Sequence, residues 1–288
     1  MPNKIVTQPI ITERERSKIN RYYARVKKQG YRPWVTVRQS HSIGQGQIIY
    51  SHKTQRTHHF LSRGELQPFF HFEADSRVKN IFEQYPLPIE ETMRLAAELN
   101  IQHPSSYQES VNFNGHRPAK TMTLDYLVIH TDKSRHAFNF KYADALDKNI
   151  TSPQAVARTN AKAEIERIYC LQNNITWTQL TEKSFDPAVT YNLRYFRECY
   201  DSPDDIDISD DLKSVVLCHL TLNFKNYPTA TVRNNLERTA NDINLPLHQI
   251  QSIFQMLAYE RVLHFDWKTE INLNRPLPVV AKEVDYVC

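Results

Sequence analysis

The stretch TMTLDYLVIHTDKSRHAFNFKYA, residues 121–143, reads as two strands joined by a short polar loop. Side chains alternate across a strand, so Asn139 and Lys141 share one face while Phe138, Phe140 and Tyr142 share the other. The preceding strand carries Asp125 in the middle of TLDYLVI, where a β-branched residue would pair better. A sheet that gathers an acid, an amide and a lysine gives up packing for polar chemistry.

The rest of the chain bounds what that chemistry serves. Its 288 residues suffice for one large or two ordinary domains with a real core. No apolar run approaches the ~20 residues of a membrane span. The start, MPNKIVTQPIITERERSK, lacks the apolar centre of a signal peptide, so no membrane partner is expected. Cys170, Cys199, Cys218 and Cys288 form no CxxC pair, which points to reduced thiols in a cytoplasmic protein rather than a zinc site or disulfide framework. Charge is uneven. Residues 1–60 hold 12 Lys and Arg against Glu13 and Glu15, whereas residues 200–288 hold 8 against 13 acids. Solvated charge is the ordinary reading of such a front. Interleaving with Tyr22, Tyr23, Tyr31 and Trp34 favours contact with phosphates.

Thr12 and Glu15 predict a capping box that opens a basic helix ending near Gly30. YRPWVTVRQS and GQIIYSHKT follow as extended segments. Ser62 and Glu65 form a second S-x-x-E start, but Pro68 inside a helix removes a hydrogen bond, so this helix is expected to begin at Pro68. RVKNIFEQYPLPI predicts a strand entering a proline-bounded loop, residues 153–173 an amphipathic helix, and NITWTQLTE a returning strand with Trp177 in the core. The order predicts an α/β fold, one mixed sheet flanked by helices. ECYDSPDDIDISDD, residues 198–211, holds seven acids and no base and reads as a linker. Beyond it, Leu212, Val215, Val216, His219 and Leu220 mark one helical stripe. Val232, Leu236, Ala240 and Ile243 mark a second, and Ile250, Ile253, Phe254, Leu257 and Val262 a third. NDINLP is the turn between the last two, and RVLHFDWKTEINL is expected to form a β-wing. The predicted domains are residues 1–60 (basic helix and lead-in strands), 61–197 (catalytic) and 198–288 (helical, winged-helix-like).

Phosphodiester hydrolysis needs a divalent metal, and hard Mg²⁺ takes oxygen ligands from carboxylates on adjacent strands and a nearby helix. A lysine beside them stabilises developing charge or orients the attacking water. Restriction endonucleases arrange an upstream Glu, a strand Asp and a next-strand acid-x-Lys; here Glu65, Asp125 and Asn139-Phe140-Lys141 fill those places. Each has an ordinary structural reading too. Asp125 can be a buried acid bonded to backbone, Lys141 an edge-strand gatekeeper, and Glu65 the N3 residue of a capping box. Asn139 is neutral where the pattern asks for an acid.

The ordered set YRPWVTVRQS, YSHKTQRTHHFLSRGE, FEQYPL, IQHP, TMTLDYLV, FNFKYA and EIERIYCLQNNITWTQLTEK resembles the TnsA endonuclease family over roughly residues 12–185. That family supplies the 5′-strand-cutting subunit of heteromeric bacterial transposases. The resemblance implies a restriction-endonuclease-like fold, with Glu65 as upstream acid, Asp125 as strand acid and Lys141 as catalytic lysine. Asn139 falls where the family commonly has glutamine, so Glu65, Asp125 and an oxygen of Asn139 would hold Mg²⁺, with Mn²⁺ as substitute. Glu73 and Glu166 also match family acids; Glu73 can equally be a helix-end residue and Glu166 a partner of exposed bases on its helix. His58 and His59 are open to phosphate, packing or surface roles.

The implied substrate is double-stranded DNA at transposon ends, and the implied partners are a TnsB-type transposase and, through the C-terminal domain, a TnsC-type ATP-dependent regulator. The implied location is the bacterial cytoplasm, associated with the nucleoid. The C-terminal sequence itself favours protein contact, because PLHQIQSIFQMLAYER has no Lys or Arg before Arg261. A DNA-bound assembly factor without catalysis and a winged-helix DNA-binding regulator are the alternative functions.

Overall fold

The computed structural model describes residues 6–40, 45–106, 113, 115–201 and 208–278. The chain divides into two compact units, Met1–Ser184 and Phe185–Cys288. In the first, helix α1 (Glu13–Gln29) precedes a hairpin of β1 (Gln47–Ser51) and β2 (Arg56–Phe60). Then come α2 (Arg63–Ala74), β3 (Val78–Pro86), α3 (Ile89–Glu98), β4 (Thr123–His130), β5 (Arg135–Phe140), α4 (Pro153–Gln172) and β6 (Thr176–Leu180). The four later strands form one sheet in the order β3-β4-β5-β6. The β3/β4 and β4/β5 pairs are antiparallel and β5/β6 is parallel, so the α/β class with a mixed sheet flanked by helices holds.

The opening stretch forms the centre of that sheet. β4 is buried from Leu124 to Val128, and Tyr126 pairs with Phe138 across the ladder. The tight connection uses Lys133 in the left-handed region (φ 70°), and Asp132 Oδ1 accepts the Ser134 N–H at 2.8 Å. One sheet face meets α2 and the hairpin through the rings of Tyr126, Phe138, Phe72, Phe69 and Phe60. The other packs Leu127 and Ala137 against Leu95, Ala96, Ile165 and Cys170 of α3 and α4.

Helix α2 begins at Arg63, with Pro68 inside it, rather than at Pro68. Ser62 caps it by accepting the Glu65 N–H at 3.2 Å, while Glu65 Oε2 accepts the Leu61 N–H at 3.1 Å. An interior proline costs ~3 kcal/mol. Leu66, Phe69, Phe70 and Phe72 are buried on the same helix, and at roughly 1.5–3 kcal/mol per side chain they outweigh that cost. The box at α1 is only half formed: Thr12 accepts the Glu15 N–H at 3.3 Å, but the Glu15 carboxylate turns to Thr121 N and Oγ1 at 3.1 and 2.6 Å. In the segment read as extended after Gly30, Val37–Gln39 forms a short 3-10 turn.

The second unit contains α5 (Pro187–Arg197), α6 (Asp210–Asn226), α7 (Val232–Ile243) and α8 (Leu247–Tyr259). Thus α5, read with the catalytic region in the sequence, belongs to the C-terminal unit. Phe196, Val216, Leu220, Leu236, Ile250, Ile253, Phe254 and Leu257 form its core. Asn244, left-handed at φ 55°, makes the turn between α7 and α8. Residues 202–207 of the expected acidic linker lie outside the described residues. The expected β-wing does not form: among the described residues, 261–278 contain no strand. The reason lies in what satisfies this backbone. Asn192 binds Trp267 O, Thr269 O and Ile271 N at 2.8–3.0 Å, and the first amides of α7, Val232 and Arg233, donate to Arg275 O and Leu273 O. Leu263, Phe265, Ile271 and Leu277 are thereby inserted into the helical core without a partner strand.

Candidate active site

Asp125 is 7% exposed on the central strand, and its Oδ2 accepts the Phe140 N–H at 2.8 Å. Lys141 follows the last residue of β5 and reaches back, with Nζ 3.4 Å from Asp125 Oδ2 and 2.7 Å from Phe140 O. Its side chain is 30% exposed. An ammonium has three donors; two are directed at these oxygens and one is left for an incoming group.

Glu65 faces the same place from the first turn of α2. Its Oε2 also accepts from Gln84 Nε2 at 3.3 Å, and its main-chain oxygen accepts the Tyr126 hydroxyl. Burial, then the negative charge of Asp125, push the Glu65 carboxyl up to about 7, against the Leu61 amide, Lys141 and Ser62. The acid end of α2 and the acid of β4 therefore sense one another electrostatically.

Asn139, 2% exposed, directs its amide into the sheet's α4 side, where Nδ2 donates to Glu166 Oε2 at 2.5 Å. Its Oδ1 is buried with no hydrogen-bond partner. A buried acceptor left in this way costs ~1–3 kcal/mol, so the amide is held ready for a donor or a cation. Glu166, charged against the Lys162 ammonium, accepts and so draws the amide nitrogen rather than the oxygen toward it.

Glu166 is fully buried, not on an exposed helix face, and burial raises its pKa. Lys162, one turn earlier on α4, lies 3.5 Å from Glu166 Oε1. Burial opposes the Lys162 charge, but Glu166, Asp125 and Glu65 outweigh it and raise the lysine's pKa. Glu65, Asp125, Asn139, Lys141, Glu166 and Lys162 thus make one polar cluster in an otherwise apolar sheet. Glu73 lies elsewhere: its charge acts on Lys53 and His58 beside the hairpin.

The motif SHKTQRTHHF serves β3. Arg56 grips Glu83 with both Nη atoms, at 3.0 and 2.5 Å, His58 Nδ1 lies 2.9 Å from Glu83 Oε2, and the His59 N–H donates to Oε1 at 3.1 Å. Burial alone would raise Glu83, but the His58 and Arg56 bonds win and hold it at about 2. Burial lowers His58, so the neutral ring donates from Nδ1 and accepts the Thr54 hydroxyl at Nε2, 2.7 Å away. This anchored Glu83 precedes Gln84, which sits at φ 49° and whose amide bridges Glu65 and the Thr123 hydroxyl. Sequence reasoning missed Gln84 and Lys162. Lys162 carried a signal in its i, i+4 spacing to Glu166; the left-handed backbone of Gln84 carried none.

Among the described residues no three His, Cys, Asp or Glu side chains form a ready metal cage. The donor set here counts an amide oxygen. Asp125, Glu65 and the orphaned Asn139 Oδ1 are all hard oxygens, and they fit Mg²⁺ or Mn²⁺ rather than a soft metal.

An antiparallel β-strand pair carrying acid and lysine, extended by a parallel strand across a helix, defines the class: a restriction-endonuclease-like α/β domain. Residues 75–182 match the TnsA-like endonuclease N-terminal domain family, which places Asp125, Asn139, Lys141, Lys162 and Glu166 inside the matched region and Glu65 ahead of it. The chain is also 36% identical over 167 residues to transposition protein TnsA of transposon Tn7 from Escherichia coli, across 57% of this chain and 55% of that protein. It therefore spans about half the length of this curated relative.

Proposed function

We propose that this chain is a Mg²⁺-dependent DNA endonuclease that cuts the 5′ strands at transposon ends. It would act with a TnsB-type transposase, which cuts and joins the 3′ ends, and a TnsC-type regulator. The observation that carries the reading is the unsatisfied Asn139 Oδ1, one residue from the Phe140 amide that Asp125 holds and two from Lys141. Asp125, Glu65 and Asn139 Oδ1 would hold the metal. When bound, a hard divalent cation polarises the scissile phosphate and lowers the pKa of a coordinated water. Lys141 keeps its ammonium beside Asp125 and turns its remaining N–H toward a phosphate oxygen, where charge develops. Glu166 orients the Asn139 amide by taking its N–H, so that the oxygen stays free. Lys162 balances the buried Glu166 charge. Among the described residues no helix is long and apolar enough to cross a membrane.

The test is strand-specific nicking of a labelled transposon end in a reaction with Mg²⁺ and both partner proteins. Asp125→Ala and Lys141→Ala should abolish 5′ cutting while the assembly still forms. Wild-type nicking by either variant would overturn the assignment. Intact 5′ strands with the unaltered chain in that complete reaction would favour the assembly factor.

A further inference from the structure

Helix α1 packs through the partly buried Ile19, Tyr22 and Val26 and has no fully buried residue, so most of its surface is left to solvent. Arg14, Lys18, Arg21 and Arg25 follow one another at spacings of four, three and four and form a single stripe. Like charges at such spacings repel by ~0.2–0.5 kcal/mol per pair, so the stripe is held against a cost. It lines two adjoining cavities that share Lys18, Arg21 and Trp34, the larger of about 470 Å³; Arg32 lines one and Lys120 the other. Glu15 also lines the larger cavity, but its carboxylate is bound to Thr121. Trp34 is 7% exposed, with Lys18 over its ring at 4.2 Å and Tyr22 against its edge. The smaller cavity adds the apolar sides of Tyr22, Val26 and Pro33 to its cations, whereas the larger one, with Arg14, Lys18, Arg21 and Lys120, is mainly polar, a mixture of charge and aromatic surface that suits a sugar-phosphate backbone.

Its wall is also tied to the acid cluster. The Trp34 main-chain N–H donates to Gln84 O at 3.1 Å, and the Gln84 side chain binds Glu65 at 3.3 Å. Lys120 precedes Asp125 by five residues, a span of at most ~18 Å. The stripe from Arg14 to Arg25 runs ~16 Å along the helix axis, about five base-pair steps at ~3.4 Å each.

We infer that this groove carries the sugar-phosphate backbone of duplex DNA within about five base pairs of the cut. The assignment rests on the nuclease reading above but is tested apart from it. The 288-residue chain is titrated into a fluorescent 30-base-pair duplex in chelator, where nothing is cut, between 50 and 200 mM salt. The combined Lys18→Gln, Arg21→Gln and Arg25→Gln variant should bind roughly 10- to 100-fold more weakly at 0.1 M. Its log K against log salt slope should be shallower by about 2.7, three lost contacts at ~0.9 each. Arg21→Lys with Arg25→Lys should keep most of the affinity. Unchanged affinity and slope in the Gln variant would overturn the groove. Loss in the charge-retaining Lys variant equal to that in the Gln variant, or absence of duplex binding by the wild-type chain, would do so too, the last pointing to an acidic protein surface instead.

Discussion

Replacing Glu83 by Gln isolates the anchor that carries the active-site strand. Glu83 lies in a buried network with Arg56 and His58, and its side chain is 1% exposed. Its carboxyl is held at about 2 against an ordinary 4.5. At ~1.36 kcal/mol per unit, ionised Glu83 contributes about 3 kcal/mol to the first unit near neutral pH. Because the folded value is depressed, that contribution is complete above pH 4.5 and is lost as pH falls toward 2. By linkage somewhat under half of it remains at pH 3. Glu83→Gln leaves the half-buried Arg56 guanidinium without its counter-charge, and breaking such a pair costs ~3–5 kcal/mol. The assay is urea unfolding read by hydrogen exchange of β2 and β3 peptides, which reports the first unit alone. The difference between wild type and variant should be about 3 kcal/mol or more at pH 7 and shrink by about half at pH 3. A difference below 1 kcal/mol, or one that does not change with pH, would refute the reasoning.

Four further outcomes follow from the same geometry. Nicking should fall as pH drops through about 7, because Glu65 must lose its proton there to face a cation; Glu65→Gln should cut at no pH, and a wild-type profile flat from pH 6 to 8 would contradict this. Gln84→Asn keeps a residue tolerant of φ 49° but shortens the reach to Glu65. It should lower nicking at limiting Mg²⁺ by roughly 10–100-fold, with partial rescue at high Mg²⁺ and little change in melting temperature. Gly64→Ala would place a Cβ 2.2 Å from Phe140 Cε1; overpacking of this kind costs ~1–3 kcal/mol, seen as a lower melting temperature, and displaces the residue whose N–H holds Asp125. Asn244→Ala puts a Cβ residue without side-chain compensation into the left-handed turn of the C-terminal unit and should destabilise it by ~1 kcal/mol, measurable by hydrogen exchange in α7 and α8.

The parts of the fold that were legible in the sequence are those set by local periodicity. The β4–β5 pair, the crossover helix α4 with Pro153 at its start, and the three helices beyond residue 210 could be read from side-chain spacing alone, although Val215 is exposed and Val262, also exposed, lies past the end of α8. Helix α3 was missed because PLPI reads as a loop, although Pro88 is its N-cap and Ile89 its first residue. The start of α2 was misplaced because the local cost of Pro68 was weighed without the four apolar side chains that tertiary burial sets against it. Apolar residues at 263, 265 and 271 mimic strand alternation, yet side-chain capping by Asn192 replaces the partner strand. In the candidate site, Asp125, Asn139 and Lys141 were readable because polar groups interrupt an apolar strand. Glu166 carried an ambiguous signal, since an acid four residues from a lysine is usually a surface pair. Only the sheet's geometry brings Asn139 beneath it.

The most direct measurement is anomalous scattering from a crystal of this chain soaked in Mn²⁺ above pH 7. The account predicts a peak at bonding distance from Asp125 and from the Asn139 side-chain oxygen, with Glu65 completing the set and Lys141 adjacent. Manganese bound only elsewhere, with the Asn139 oxygen still unpartnered, would contradict it.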